Sequence, residues 1–269
     1  MDKCIDVERS IITKYRKNIW AKFIKAIKEY ELVSDGDKIA VCISGGKDSM
    51  LLAKCMQELL KHKKILFELK FIIMDPGYND DTLSKIKENL DILKIDAVIF
   101  KTDIFKVADS LSMKNPCYMC ARMRRGNLYA KAKELGCNKI ALGHHFNDVV
   151  ETILLNMIYN GEFSSMMPKL HSDNFFGMEL IRPLYLIEEK DIISWSKSNG
   201  LSFIDCACSV TKKSIGKRRE VKKLVDDLKK IYPEAHKCIL SSTKNVNLNT
   251  LLGYKKGDKN FNFLDEYYG

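Results

Sequence analysis

Residues 38–55, KIAVCISGGKDSMLLAKC, constrain the fold more than any other stretch. An apolar run ends at Ile43 and reads as a buried strand. Ser44, Gly45, Gly46, Lys47, Asp48 and Ser49 make a turn, and apolar residues at helical spacing follow at once. Two glycines let the backbone pass close to a ligand with no Cβ in the way. Unpaired N–H groups at such a turn and helix start converge on one spot and bind an anion. Lys47 adds positive charge. The pattern is neither G-x-x-x-x-G-K-[ST] nor G-x-G-x-x-G. A Gly-Gly turn capped by Asp48 is the plainer alternative.

The rest of the chain repeats this alternation. KILFELKFIIMD (64–75), DAVIFK (96–101) and NKIALG (138–143) read as strands; 81–94, 119–135 and NDVVETILLNMIYN (147–160) read as helices. Gly136 ends the helix at 135. Strands alternating with helices of this length give an α/β fold, a parallel sheet with helices on both faces. Its ligand site lies at the carboxyl ends of the strands. Residues 6–31 read as one amphipathic helix, with Ile11, Ile12, Ile19, Phe23 and Ile27 on its apolar side. Residues 161–187 read as loop with a short strand near LIRPLYL. Beyond 188 the pattern is helical and basic, and the tail from 251 reads as loosely ordered. The expected organisation is a basic helical extension over 1–34, a nucleotide-binding domain over 35–187, and a basic helical region over 188–269.

The 269 residues suffice for a sizeable core, and 46% hydrophobic with 30% charged residues is a globular composition. No run of 18 apolar residues appears, so no membrane span is expected. The charged N-terminus lacks the apolar core of a signal peptide, which implies a cytoplasmic location. The net charge of +10 suggests a polyanionic partner such as nucleic acid, or merely a lysine-rich surface.

Nine cysteines, an odd number in a reducing compartment, argue against a disulfide framework. Cys42, Cys55 and Cys137 read as core residues. Cys117 and Cys120 in NPCYMCARMRRG, and Cys206 and Cys208 in DCAC, come in close pairs. A C-x-x-C can be half a zinc site, a redox pair or part of an iron–sulfur site. Arg122, Arg124 and Arg125 would stabilise thiolates, bind phosphate or both; a solvated basic helix start is the alternative. GHHFNDVVET sets Gly143, His144, His145, Asn147, Asp148, Glu151 and Thr152 at a strand end and helix start, where a nucleotide contact is expected. Asp75 ends a strand before Pro76. It is read equally as a nucleotide contact or a turn residue.

SGGKDS resembles the loop of the PP-loop ATP pyrophosphatases. Together with CYMCARMRRGNLYAKAKELGCNKIALGHHFNDVVETILLNMIYNG, MPKL and IRPL, it makes the chain resemble the bacterial tRNA 2-thiocytidine synthetases from about residue 10 to about 245. The resemblance implies ATP held by Ser44, Gly45, Gly46, Lys47, Asp48 and Ser49, with Asp75, Gly143, His144 and Asp148 nearby and Mg²⁺ shielding the phosphates. It implies a [4Fe–4S] cluster on Cys117, Cys120 and one of Cys206 or Cys208, with Cys208 preferred. Asp48 and the three cysteines are the expected catalytic set. It implies tRNA as substrate, adenylated at a base C2 oxygen and then attacked by sulfide. The sulfur comes from a cysteine desulfurase or free sulfide, and a homodimer is compatible with it.

Three departures stand out. Phe146-Asn147-Asp148 replaces the family's frequent x-D-D, DCAC replaces P-C-x-x-C, and SMMPKL lacks a proline often present. Alternatives are thiolation of a tRNA uridine, another PP-loop adenylating enzyme with zinc at its cysteines, and a non-catalytic RNA-binding protein. Cys4 and Cys238 are solitary, unlike the paired cysteines near both ends of uridine-acting relatives.

Overall fold

β1 (Lys38–Ile43) is buried at every position after Lys38, and that burial places it at the middle of the sheet. The computed structural model describes residues 2–102, 116–204 and 211–267. After β1 come α3 (Lys47–Lys61), β2 (Glu68–Asp75), α4 (Asp80–Leu93), β3 (Ala97–Lys101), α5 (Pro116–Glu134), β4 (Lys139–Ala141) and α6 (Phe146–Leu155). β5 (Lys169–His171) and β6 (Glu179–Ile181) complete a six-stranded sheet in the order β3-β2-β1-β4-β6-β5. β2 and β4 flank β1 in parallel, Ile39 lying opposite both Leu69 and Lys139. The chain runs outward from β1 to β2 and returns on the other side to β4. The connections after β1 and β4 therefore diverge, leaving a crevice at their carboxyl ends.

The sheet is not wholly parallel. β5 pairs antiparallel with β6 at the edge, Leu170 opposite Leu180, because residues 172–178 double the chain straight back. Three-residue strands carry too little periodicity to be seen in sequence.

The N-terminal segment is also not one helix. α1 (Lys3–Ile12) and α2 (Ala21–Glu29) are joined through a wide turn at Arg16–Trp20, where the Trp20 N–H reaches the Tyr15 carbonyl at 3.4 Å. Both helices bury their apolar sides in the main core: Val7, Ile11, Phe23 and Ile27 join Leu51, Ile181 and Trp195. The boundary expected at residue 34 thus falls within a continuous core. Trp195 belongs to α7 (Glu189–Ser198). A separate cluster seats α8 (Thr211–Ile231) and α9 (Ala235–Ser242) on α6, through Val221, Val225 and Leu240 against Val149, Val150 and Ile153.

The tail, expected to be loose, forms a hairpin of Gly253–Lys256 and Lys259–Asn262, with Tyr254 and Phe261 rings stacked at 4.7 Å. No described helix is long and apolar enough to cross a membrane.

Two buried lysines tie elements together. Lys54 Nζ on α3 is 2.6 Å from Glu8 Oε1 and 2.9 Å from the Leu93 carbonyl. Lys139 Nζ, at the amino end of β4, is 2.7 Å from Asp37 Oδ2 and 3.2 Å from Glu179 Oε2.

Candidate active site at the switch between β1 and β4

The turn after β1 is held by its own serines. Ser49 Oγ accepts the Ser44 N–H at 3.1 Å and donates to the Gly46 carbonyl at 2.9 Å. Gly46 caps α3, whose first-turn N–H groups lack intrahelical acceptors. Gly45 has φ +84°, and a Cβ there would lie 2.7 Å from Ile86 Cγ1 and 2.8 Å from Ile204 Cδ1. Packing against α4, and not only approach to a ligand, therefore demands this glycine. Gly143 is needed for closeness of another kind. A Cβ there would stand 3.1 Å from the Ser49 nitrogen, so the end of β4 lies directly on the start of α3.

Six of the residues selected from sequence line one cavity of about 460 Å³: Ser44, Asp48, Ser49, Gly143, His144 and Asp148. Arg124 and Arg125 of α5 and Arg218 of α8 complete its polar wall. Gly45, Gly46, Lys47 and Asp75 are not on that wall. Lys47, expected to lend free positive charge, has its Nζ 3.3 Å from Asp48 Oδ2 and 3.4 Å from Glu189 Oε1. Asp75 is a turn residue: its Oδ1 accepts the N–H groups of Gly77 at 2.9 Å and Tyr78 at 2.8 Å.

The carboxylates differ. Burial raises the pKa of Asp48, outweighing His145 and Lys47, and its Oδ1 has no hydrogen-bond partner among the described residues. Burial also pushes Asp148 upward, but His145 and Arg218 outweigh it and hold Asp148 below the usual range. Asp148 Oδ2 accepts the His145 N–H at 2.9 Å and so closes the cap of α6. Arg218 reaches Asp148 Oδ1 at 2.6 Å with Nη2 and Glu151 Oε2 at 2.8 Å with Nε. Asn147, where relatives of the resembled family often have Asp, accepts the Glu189 N–H at 2.9 Å and helps start α7.

His144 Nδ1 accepts a hydrogen bond from Arg182 Nε at 3.3 Å. Burial, and then the Arg182 charge, push His144 down to about 4. Arg182 lies just past β6 and is 5% exposed. Sequence reasoning noted it only inside IRPL and covered Arg218 only by the basic helical pattern beyond 188; an arginine at the end of an apolar strand was the available signal. Lys217 sits over the Tyr159 ring at 4.6 Å.

Arg122 and Arg125 also line a neighbouring cavity of about 730 Å³ beside Tyr129, His171 and Phe175. Cys117 and Cys120 fall in the first turns of α5, ahead of these arginines, with their side chains outside the described residues. Cys206 and Cys208 lie outside the described residues altogether. Among the described residues no group of three or more His, Cys, Asp or Glu could hold a metal ion.

A mostly parallel sheet with a serine-braced glycine turn at its switch point defines an α/β protein of the nucleotide-loop type. The PP-loop domain family matches residues 15–216. The chain is 36% identical over 230 residues to the tRNA-cytidine(32) 2-sulfurtransferase of Citrifermentans bemidjiense, covering 85% of this chain and 90% of that one. It is 37% identical over 257 residues to the enzyme of that name from Vibrio cholerae, covering 92% and 81%. The U34-tRNA thiolase NcsA from Methanococcus maripaludis, solved with its [4Fe-4S] cluster, superposes with a TM-score of 0.68 at 24% identity, covering 88% of this chain and 80% of that one. This chain belongs to the PP-loop family and, within it, to the tRNA-cytidine(32) 2-sulfurtransferases.

Proposed function

We propose that this enzyme replaces the C2 oxygen of a tRNA cytidine with sulfur at the expense of ATP. The observation that carries the reading is a shared cavity. Ser44 and Asp48 of the glycine turn face Arg124 and Arg125 of the helix that opens with Cys117 and Cys120. The arginines that share the nucleotide cavity thus follow the cysteine pair on one helix, which supports bringing nucleotide and thiolate chemistry together.

The C2 oxygen attacks the α-phosphate of ATP, and pyrophosphate leaves into the turn at residues 44–49. The base then carries AMP on its oxygen, a good leaving group in place of a poor one. Sulfide adds at C2 and AMP departs. Arg124 and Arg125 offer charge to phosphates in the cavity. The unpartnered Oδ1 of Asp48 suits Mg²⁺, which would shield the departing pyrophosphate. Cys117 and Cys120 sit at a helix start, where thiolates are favoured, and thiolates are the donors an iron–sulfur cluster requires. With one of Cys206 or Cys208 they would hold a [4Fe–4S] cluster, which when bound supplies sulfide from an iron lacking a protein ligand.

The basic residues of α8, with a net charge of +10 over the chain, suit a folded RNA, whose loop cytidine is read as an unstacked base. A cytoplasmic enzyme fed by a cysteine desulfurase or free sulfide, working as a monomer or homodimer, completes the reading. The test is anaerobic purification, metal and sulfide analysis, and incubation with tRNA, ATP and sulfide. The expected result is about four irons per chain, tRNA-dependent release of AMP and pyrophosphate, and 2-thiocytidine in the digested tRNA. Zinc in place of iron, or AMP release without thiolated base, overturns it.

A further inference from the structure

Arg182 is a buried cation with no carboxylate oxygen within 4 Å among the described residues. Its Nη1 donates to the Met167 carbonyl and its Nε donates to His144 Nδ1 at 3.3 Å. A guanidinium has five N–H donors and no acceptor. The atom it meets on the imidazole must therefore be the lone-pair nitrogen, and the ring proton must be on Nε2. His144 lines the cavity that also holds Asp48 and Arg125. The charged groups around the ring are Arg182 past the end of β6, Asp148 and His145 at the start of α6, and Arg218 from α8.

We infer that Arg182 is a positioning residue that locks His144 as a neutral Nε2–H donor toward the reacting groups, so that His144 assists activation of the base without acting as its general base. The inference rests on the reading that a pyrimidine is adenylated at its C2 oxygen, and it adds a reason for the choice of pyrimidine. Cytosine carries no hydrogen on N3. When its C2 oxygen forms the new O–P bond and the bond to pyrophosphate breaks, positive charge spreads over N3 and the 4-amino group, and no proton leaves. Uracil carries a hydrogen on N3, and the same step must expel it to a base. A ring held with its lone pair against a guanidinium cannot take that proton. Its Nε2–H can hydrogen-bond the α-phosphate oxygen where negative charge grows. In the second step hydrosulfide adds to C2 and the C2–O bond breaks. AMP leaves with the electron pair, and the sulfur-borne proton passes to solvent. The locked histidine thus selects bases that need no deprotonation.

Nitrogen-15 NMR of the full chain, labelled in its five histidines, tests the lock directly. His144→Asn identifies the resonance. The expected result is an Nε2–H tautomer that stays neutral down to about pH 5, near its value of about 4. Arg182→Met should raise the midpoint of His144 above the wild-type value, and an unchanged midpoint overturns the inference. The same substitution should also add an acidic limb to the pH profile of thiolation that Arg182→Lys lacks. An Nδ1–H tautomer, or a wild-type midpoint near 6.5, overturns the inference, and this measurement needs neither ATP nor tRNA. A wild-type limb near pH 6.5 that vanishes in His144→Gln also overturns it. Locked His144 together with 2-thiouridine as product overturns the base-free step and the cytidine reading while leaving the Arg182 contact standing.

Discussion

Lys139 and Arg182 occupy opposite ends of adjacent strands and are almost equally buried, 4% and 5% exposed. Lys139, at the amino end of β4, is met by Asp37 and Glu179. Arg182, just past the carboxyl end of β6, is met by an imidazole lone pair and a carbonyl. A buried cation is costly unless an anion compensates it. At the amino end the compensation is built in, and the charge serves only to join β4 to β6 and the turn before β1. At the carboxyl end it is left out, at the end of the sheet where ligands of this architecture bind. The comparison separates a structural ion pair from a charge kept for chemistry.

The largest effect should come from Lys139→Met. It takes the buried cation from Asp37 and Glu179, which keep only their weaker partners, Ser34 and Asn138 for the one and Lys169 and His171 for the other; loss of one partner of a buried pair costs about 3–5 kcal/mol. Urea unfolding measures it, and a loss below about 1 kcal/mol would break the contrast. Gly143→Ala comes next. A methyl 3.1 Å from the Ser49 nitrogen must push the end of β4 off α3, costing about 1–3 kcal/mol by overpacking and lowering ATP affinity. Calorimetric titration with ATP checks it, and unchanged binding would show that the strand end and the turn do not act together. Arg182→Met should cost only about 1 kcal/mol, for the Met167 carbonyl left without its donor. A loss as large as that of Lys139→Met would mean that Arg182 is structural too.

Acid sharpens the same contrast. Burial raises Asp37, but Lys139, Asn138 and the Ser34 N–H outweigh it and hold it below 3.8. Its folded value is depressed, so its contribution is complete above 3.8 and lost as pH falls through the folded value. His144, depressed from 6.5 to about 4, contributes fully above 6.5 and loses that contribution as pH falls towards 4. Stability should therefore fall in two separate windows, the carboxyl end first, and Arg182→Met should shift only the upper one. The smallest effect belongs to Lys217→Ala with Arg219→Ala. If both meet RNA phosphates, the slope of log affinity against log salt should flatten by about two at most. An unchanged slope would place the RNA elsewhere.

How much of this was legible in the sequence depends on how far apart the interacting residues are. The glycine turn was legible because strand, turn and helix are contiguous, and Ser49 braces Ser44 from five residues away. The alternation that fixes the parallel core was legible for the same reason. The break at Arg16–Trp20 was not, since Tyr15, Ile19, Phe23 and Ile27 keep a four-residue spacing through it. The role of Gly45 was half legible: its left-handed conformation follows from the turn, but Ile86 and Ile204 come from far along the chain. Arg182 and His144 are 38 residues apart, and Arg218 is 70 from Asp148. No local period marks such pairs, so their chemistry appears only once the sheet has brought the strand ends together.

The contact at Gly143 also bears on ancestry. Glycine to alanine is a single-nucleotide step. Here that step is costly while Ser49 and Asp48 keep their backbone positions. Change at the end of β4 is tied to change at the start of α3. Drift at these two sites is therefore coupled, and a hybrid gene spliced between residues 49 and 143 has to match its two halves at this contact.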